Sequence, residues 1–157
     1  MNSIDLPSGK KIYFASDNHL GAPTSQLSQP REKKFVRWLE AIRKDAAAVF
    51  LLGDLFDFWF EYDTVVPKGF TRTLGKLAEI TDSGIPVYYF VGNHDLWMNG
   101  YFEEELNIPV YHAPQVFEIG GKKFFICLLY TSPSPRDLRQ DLVCRLLLEN
   151  RGGGGGG

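Results

Sequence analysis

The chain has 157 residues, enough for one domain with a hydrophobic core, and its 44% hydrophobic and 23% charged residues are typical of a globular protein. A formal net charge of −2 argues against nucleic acid as the main partner, because nucleic-acid binding usually requires a basic face. No apolar run is long enough to span a bilayer, and the N-terminus lacks the basic start and apolar core of a signal peptide, so we expect a cytoplasmic location.

Three apolar, β-prone runs alternate with two helical patterns in the first part of the chain. The predicted strands are Ile12–Ser16, Ala48–Gly53 and Tyr88–Val91. Residues 20–30 are rich in Gly, Ala, Pro, Ser and Gln and predict an active-site loop, after which Pro30 is expected to open a helix. A second helix is predicted from Pro67 to Ser83, with Gly84 as its C-terminal cap.

Shorter elements are predicted after the third strand. Glu103–Glu105 is expected on a short surface helix, and Pro109–Tyr111 is expected to form a short strand. Val116–Ile126 predicts a β-hairpin around the Gly120-Gly121 turn. The order β-α-β-α-β followed by a hairpin predicts a layered α/β fold with right-handed crossovers.

Side chains of the metal-binding type follow all three predicted strands. They are Asp17 and His19 after the first strand, Asp54 after the second, and Asn93 and His94 after the third. Ligands bind at the carboxyl ends of strands in open α/β sheets, so we expect these five side chains to converge. A single Asp or Asn after a strand is usually a turn residue or a helix N-cap. Three strand ends with the same layout, two of which carry His, favour a site.

These residue types suit phosphoryl chemistry with metal ions. Carboxylate, imidazole and amide oxygen are ligands for Mn²⁺, Mg²⁺, Fe²⁺ or Zn²⁺. One carboxylate can bridge two ions about 3.5–4 Å apart, and such a pair clamps a phosphoryl group and generates hydroxide from bound water. A nearby imidazole can donate a proton to the phosphate or the leaving group. Asp95 is expected to orient the ring of the adjacent His94.

At these residues the sequence resembles the calcineurin-like metallophosphoesterase superfamily. Its motifs Asp-x-His, Gly-Asp and Gly-Asn-His-Asp/Glu correspond to Asp17-Asn18-His19, Gly53-Asp54 and Gly92-Asn93-His94-Asp95. The resemblance implies a metallophosphoesterase-type β-sandwich flanked by helices, with two divalent metal ions, Mn²⁺ being expected ahead of Mg²⁺, Fe²⁺ or Zn²⁺. The roles that it implies are first-metal ligands for Asp17 and His19, a bridging ligand for Asp54, a second-metal ligand for Asn93 and a phosphate-contacting acid for His94.

Within the superfamily the sequence is similar to the UDP-2,3-diacylglucosamine diphosphatases of lipid A synthesis. The similarity lies in Ser16–Gly21 and Gly53–Trp59. Members of that family attack the pyrophosphate of a UDP-linked lipid and release UMP and the acylated sugar phosphate. They act at the cytoplasmic face of the inner membrane of Gram-negative-type bacteria. The resemblance therefore implies a UDP-linked lipid substrate and peripheral membrane contact in the full-length protein.

The aromatic segment Leu55–Tyr62 allows two interpretations. Aromatic side chains are usually core, so the segment is expected to pack beneath a loop. Under the diphosphatase resemblance, the same segment would form part of an apolar rim for the hydrocarbon of the substrate.

Two other functions stay open on the sequence. The first is a broader metal-dependent phosphodiesterase acting on nucleotides or nucleic acid, because some diphosphatase relatives carry Arg in place of His94. The second is a metal-free scaffold that binds a protein partner. A scaffold has no need for the complete set of five ligand-type residues, which disfavours it.

The character of the sequence changes after Ile126. Cys127–Asp137 interrupts the hairpin strand with two prolines and resembles the translation of a sequencing-library adapter, and Leu142–Glu149 resembles the other end of that adapter. Gly152–Gly157 fits a run of G base calls. We therefore expect residues 1–126 to be the N-terminal part of a phosphoesterase domain and residues 127–157 to be an artefactual tail. The alternative is a natural helix followed by a flexible glycine tail.

The superfamily completes its site with a Gly-His motif and a Gly-His-x-His motif in the C-terminal half. No histidine follows His112, which itself is expected at the surface. We therefore expect an incomplete two-metal site in this chain, with little or no phosphodiesterase activity in Mn²⁺.

Overall fold

The computed structural model describes residues 2–128 and 147–148. Its elements, in chain order, are β1 (Asn2–Ile4), β2 (Lys11–Ala15), α1 (Ser25–Ile42), β3 (Ala46–Leu52), α2 (Thr71–Asp82), β4 (Val87–Phe90), α3 (Tyr101–Leu106), β5 (Val110–Tyr111), β6 (Gln115–Ile119), β7 (Lys122–Ile126) and β8 (Leu147–Leu148).

The described strands form two sheets. One has the order β2-β3-β4-β5, with every pair parallel, and the other has the order β1-β6-β7-β8. A helix lies in each connection between β2 and β5, and residues of all three helices share one hydrophobic cluster with β3. The helices therefore lie on one face of the parallel sheet, as crossovers of a single hand require. The second sheet covers the other face. The predicted layered α/β sandwich flanked by helices is confirmed.

Alternation along β3 explains why a continuous apolar run forms this central strand. Val49 and Leu51 pack on the helix side, in the same cluster as Leu39 of α1. Phe50 and Leu52 point the other way, into the cluster shared with the second sheet. Successive side chains of a strand point to opposite faces, so a strand covered on both sides must be apolar at every position.

Helix α1 begins five residues earlier than predicted. Thr24 is its N-cap, and the Thr24 side chain accepts a hydrogen bond from the backbone N–H of Leu27. Pro30 lies inside the helix and removes one intrahelical hydrogen bond rather than marking its start. The predicted active-site loop therefore ends at Thr24 and not at residue 30.

Helix α2 begins at Thr71 rather than Pro67. Its N-cap, Phe70, has φ +57° and provides no side-chain cap. The buried Glu32 of α1 accepts a hydrogen bond from the backbone N–H of Thr73 at 3.4 Å. A carboxylate at this end also complements the helix dipole. The cap thus comes from a neighbouring helix, where a local sequence pattern could not reveal it.

The predicted change of character after Ile126 coincides with the end of β7. Residues 129–146 and 149–157 of the predicted artefactual tail lie outside the described residues, so its origin stays a prediction. Leu147–Leu148 pairs antiparallel with β7.

The helices in the described part of the chain are amphipathic or short. None of them combines the length and the apolar character needed to cross a lipid bilayer.

Candidate metal centre

The loops after β2 and β3 have an unusual backbone. Asp17, His19 and Asp54 have φ values of +53°, +43° and +52°. Non-glycine residues rarely adopt this left-handed region, and such strain is concentrated at functional sites. The two loops are held together by backbone hydrogen bonds from Asp17 N–H to the Gly53 carbonyl (3.2 Å) and from His19 N–H to the Asp54 carbonyl (2.9 Å). The strained residues are therefore fixed against each other.

Gly92 allows the end of β4 to approach the end of β3. A Cβ atom at this position would overlap the Asp54 carboxylate and lie 2.7 Å from the Asp54 backbone nitrogen. Gly92 is followed by Asn93 and His94, so the absence of a side chain here brings the third strand end against the second.

Three of the five side chains that were expected to converge meet at this edge: the predicted ligands His19 and Asp54 and the predicted acid His94. The candidate ligand atoms of His19, Asp54 and His94 all lie within 4.8 Å of one another. His19 Nε2 is 3.9 Å from Asp54 Oδ2, and the backbone N–H of His94 donates to Asp54 Oδ1 at 3.0 Å. The two imidazole rings lie 4.8 Å apart, centroid to centroid, and are nearly perpendicular. We call these three residues the strand-end cluster.

The electrostatics of the strand-end cluster fit a cation. The Asp54 side chain is only 2% exposed, and no Lys or Arg of the described residues lies within ion-pair distance of it. A buried carboxylate is costly unless it is paired with a cation or coordinates a metal. The two histidines are 31% and 39% exposed, so the cluster opens to solvent on one side. One carboxylate and two imidazoles form a donor set that suits a divalent transition metal.

Asp17 and Asn93 lie outside the strand-end cluster. Both follow strands of the same sheet edge, and both residues are exposed to solvent. Their predicted roles as metal ligands stay predictions. His112 is also exposed, as expected from its position in a loop.

The sequence profile of calcineurin-like phosphoesterases matches residues 10–143, which include every residue of this site. The chain belongs to the calcineurin-like phosphoesterase family. It is 46% identical to the UDP-2,3-diacylglucosamine hydrolase of Porphyromonas gingivalis over 114 residues, which make up 73% of this chain and 44% of the relative. Identity to the UDP-2,3-diacylglucosamine hydrolases of Actinobacillus succinogenes and Neisseria meningitidis serogroup C is 31% and 30%, over 74% and 75% of this chain and 48% of each relative. The chain therefore spans about half the length of the curated relatives that it matches.

Asp95 does not orient the His94 ring as predicted. Its carboxylate is fully buried and accepts hydrogen bonds from the backbone N–H groups of Leu55 (3.0 Å) and Gly92 (2.6 Å) and from the Tyr89 hydroxyl. Burial raises the pKa of the Asp95 carboxyl above its usual value, although the Tyr89 and Gly92 hydrogen bonds oppose that shift. Asp95 thus joins the ends of β3 and β4 from within the core.

Asp57, and not Asp95, contacts the imidazole rings of the strand-end cluster. The backbone carbonyl of Asp57 lies 2.8 Å from His94 Nδ1, and Asp57 Oδ1 lies 3.3 Å from His19 Nδ1. A carbonyl only accepts, so His94 Nδ1 carries the hydrogen. With His19 Nδ1 directed at Asp57, its Nε2 is left facing Asp54. The signal that we missed was the second carboxylate of the Asp54-Leu55-Phe56-Asp57 run.

The aromatic segment after Asp54 is partly buried, as expected of core packing, and partly exposed, while its role as a substrate rim stays a prediction. Phe56 and Trp59 are fully buried and stack on each other with ring centroids 4.5 Å apart. Other apolar residues of this loop, together with two from the loop after β4, are exposed. We call this exposed set the aromatic rim; it consists of Phe58, Phe60, Tyr62, Val65, Leu96 and Trp97. The Trp97 ring lies 6.0 Å from that of Phe58 and 6.4 Å from that of Phe60.

Proposed function

We propose that this phosphoesterase is the N-terminal part of an enzyme that hydrolyses the pyrophosphate bond of UDP-2,3-diacylglucosamine, giving UMP and the acylated glucosamine 1-phosphate. The observation that carries the proposal is the position of the aromatic rim, whose residues flank the strand-end cluster in the chain and follow the same two strands. A substrate with a pyrophosphate next to a hydrocarbon-bearing sugar requires both features in one site. The relatives, which are UDP-2,3-diacylglucosamine hydrolases, support the same substrate class.

Four residues at the strand ends would hold two divalent metal ions. Asp17 and His19 would bind the first, Asn93 would bind the second, and the buried Asp54 carboxylate would bridge them. When bound, the metals supply Lewis-acid activation of the phosphoryl group and a hydroxide nucleophile at neutral pH. Mn²⁺ is the metal that we expect, and a mixed carboxylate, imidazole and amide set also accepts Mg²⁺, Fe²⁺ or Zn²⁺.

His94 would contact the reacting phosphate. Its Nδ1 is occupied by the Asp57 carbonyl, which leaves Nε2 as the nitrogen that can reach a substrate oxygen. A protonated Nε2 can donate a hydrogen bond to the phosphate or a proton to the leaving group. Asp57 would position this ring, and Asp95 would hold the strand ends beneath it.

The aromatic rim would contact the acyl chains or the membrane that contains them. Exposed aromatic side chains beside a polar site present apolar area at low cost in conformational entropy. Phe58 and Trp97 are 59% and 48% exposed, although both are large apolar residues. A peripheral position at the cytoplasmic face of an inner membrane would bring this surface to a lipid substrate.

The rest of the site would come from a further part of the full-length protein, which corresponds to the half of the relatives that this chain does not match. Since the chain spans about half of their length, we propose that residues 1–126 correspond to the N-terminal part of the domain and that further histidines complete the metal set. The 157-residue chain alone would then show little or no hydrolysis.

The experiment uses a clone of the source gene whose reading frame is verified across codon 127. The extended protein and the 157-residue chain are assayed in Mn²⁺ for UMP release from UDP-2,3-diacylglucosamine. We expect hydrolysis by the extended protein only, and at least a hundredfold loss of kcat in its His94→Ala variant, since a general acid contributes about 10²–10⁴-fold.

Three other results would argue against the proposal. Faster hydrolysis of a nucleotide or aryl phosphodiester than of the UDP-linked lipid would favour a broader phosphodiesterase. Metal content near zero in the extended protein would favour a scaffold. Rapid turnover by the pure 157-residue chain would contradict the incomplete site.

A further inference from the structure

The loop that carries Asp17 and His19 is hydrogen-bonded to helix α1 as well as to the end of β3. The Nη1 atom of Arg31 lies 2.8 Å from the His19 carbonyl oxygen and 3.4 Å from the carbonyl oxygens of Asn18 and Ala22. Each of these carbonyls belongs to the turn that leads away from β2. One guanidinium nitrogen therefore lies within hydrogen-bond distance of three carbonyl oxygens of the loop.

A second contact from the same helix has the opposite polarity. The hydroxyl of Ser28, which is buried, accepts a hydrogen bond from the Gly21 backbone N–H at 2.7 Å. Ser28 and Arg31 are three residues apart and therefore lie on the same face of α1. The helix thus offers an acceptor and a donor to one loop, and its start at Ser25 rather than Pro30 brings Ser28 onto the same helix as Arg31.

The loop needs such support because its conformation is unfavourable on its own. Asp17 and His19 both have positive φ values, so the carbonyl groups around them leave the direction of the sheet. Their N–H groups are fixed to the end of β3, whereas the carbonyls of Asn18 and His19 are turned towards α1. The His19 carbonyl also accepts the backbone N–H of Ala22 at 3.2 Å, so Arg31 adds a second, charged donor to it and a first donor to the Asn18 carbonyl. Loss of the charged donor would cost the loop part of its preference for this arrangement.

We infer that Arg31 is a positioning residue for the metal centre. By holding the main-chain carbonyl of His19, Arg31 fixes the backbone from which the His19 ring reaches Asp54. Among the described residues Arg31 has no ion-pair partner, so its charge is available to the loop carbonyls. This inference rests on the proposed metal centre for its functional consequence, but not for the placement of the His19 ring.

The test compares Arg31→Met and Arg31→Lys with the wild-type chain and with Arg37→Met. Methionine and lysine match arginine in helix propensity, so α1 keeps its intrinsic stability. Arg37 is exposed on the same helix and has no side-chain hydrogen bond among the described residues, which makes it the matched control. Three quantities are measured: the Kd for Mn²⁺ by calorimetry, the Tm in a metal chelator, and the His19 ring resonances of the metal-free chain in long-range ¹H–¹⁵N spectra.

We expect Arg31→Met to raise the Kd for Mn²⁺ roughly tenfold, as the loss of a supporting group around a metal ligand does. Its metal-free Tm should match that of Arg37→Met, and its His19 resonances should shift while those of Arg37→Met do not. Arg31→Lys should recover part of the affinity, because an ammonium group can still donate to the His19 carbonyl.

Unchanged His19 resonances and an unchanged Kd in Arg31→Met would overturn the inference. A fall in metal-free Tm that accounts for the whole loss of affinity, without recovery in Arg31→Lys, would also overturn it. If the wild-type chain binds no Mn²⁺, the proposed metal centre fails, while the His19 resonances still decide whether Arg31 places this ring.

Discussion

Gly92 and Asp54 show how the ends of two strands reach contact distance at the level of single residues. The backbone at Gly92 passes directly beside the Asp54 carboxylate, and the next residues present His94 to the same carboxylate. Asp54 has a positive φ, and its carboxylate lies in the space beside Gly92. The close approach, and not only the residue types, therefore creates the strand-end cluster.

Replacing Gly92 by alanine should destabilise the fold and separate these strand ends. The added Cβ meets backbone and a buried carboxylate rather than a flexible side chain, so we expect a loss of roughly 1–3 kcal/mol in the free energy of unfolding. Urea unfolding measures this loss. Gly75→Ala is the control: it lies in exposed helix with open space around it and should gain up to about 1 kcal/mol. Equal stability of Gly92→Ala and the wild-type chain would contradict the close approach.

Asp57 should support metal binding without being a ligand itself. Asp57→Ala removes the carboxylate that faces His19 Nδ1 but keeps the backbone carbonyl that faces His94. We expect the Kd for Mn²⁺ to rise about 10–100-fold, which is typical when a partner of a metal-binding His is lost. Calorimetric titration measures the change. The control is Asp5→Ala, which removes an exposed carboxylate distant from Asp57 in the sequence and should leave Mn²⁺ binding as in the wild type. An unchanged Kd in Asp57→Ala would assign the orientation of His19 to other contacts.

At the scale of elements, β2 is fixed to the start of β3 by a polar contact at the end opposite to the site. Lys11 Nζ donates to Asp45 Oδ2 at 2.7 Å, and the Tyr13 hydroxyl donates to Asp45 Oδ1 at 2.8 Å. The hydrogen bond from Lys11, and to a lesser extent that from Tyr13, lowers the pKa of Asp45 below its usual value. The contact pins the register of the edge strand that carries Asp17 and His19.

Asp45→Asn should lose stability in a pH-dependent manner. Because the folded-state pKa of Asp45 lies below its unfolded value of about 3.9, the ionised group stabilises the fold above that value. The difference in unfolding free energy between wild type and Asp45→Asn should therefore shrink as the pH falls through the folded-state pKa. Urea unfolding from neutral pH to about pH 2 measures it, and Lys11→Met should show a deficit in the same window. A deficit in Asp45→Asn that is independent of pH would show that ionisation of Asp45 does not contribute.

The strands that carry the site could be predicted from the sequence, whereas the helix starts could not. The run Ala48–Leu52 is apolar at each position because both of its faces are covered, and this pattern has few other structural solutions. The start of α1 at Ser25 was obscured by Pro30, and the cap of α2 comes from Glu32, forty-one residues from its partner Thr73. Local sequence signals do not contain such a contact.

The site itself was predictable to the extent that it depends on strand ends. His19, Asp54 and His94 converge because parallel neighbouring strands end at one edge. The exchange of roles between Asp57 and Asp95 was not predictable, because both are carboxylates close to a motif residue. Only the direction of each side chain, into the core for Asp95 and across the site for Asp57, distinguishes them.

At the scale of the whole molecule, both sheets and the helical layer support the edge of the parallel sheet that carries the strand-end cluster. The parallel sheet carries the proposed ligands, and the second sheet packs against one of its faces. Helix α1, on the other face, contacts the loop of Asp17 and His19 through Arg31. The strand β1, which was not predicted, pairs with β6 in parallel and so ties the start of the chain to the hairpin. The centre therefore depends on long-range pairing as much as on its motifs.

The central claim is that these strand ends form a metal centre, and Mn²⁺ titration of the chain and its Asp54→Asn variant tests it most directly. The substitution keeps the size of the side chain and an oxygen that can accept from His94 N–H, but removes the buried negative charge. We predict that the wild-type chain binds Mn²⁺ and that Asp54→Asn binds it at least tenfold more weakly, with little change in the metal-free Tm. Equal Mn²⁺ binding by the two proteins, or none by either, would contradict the account.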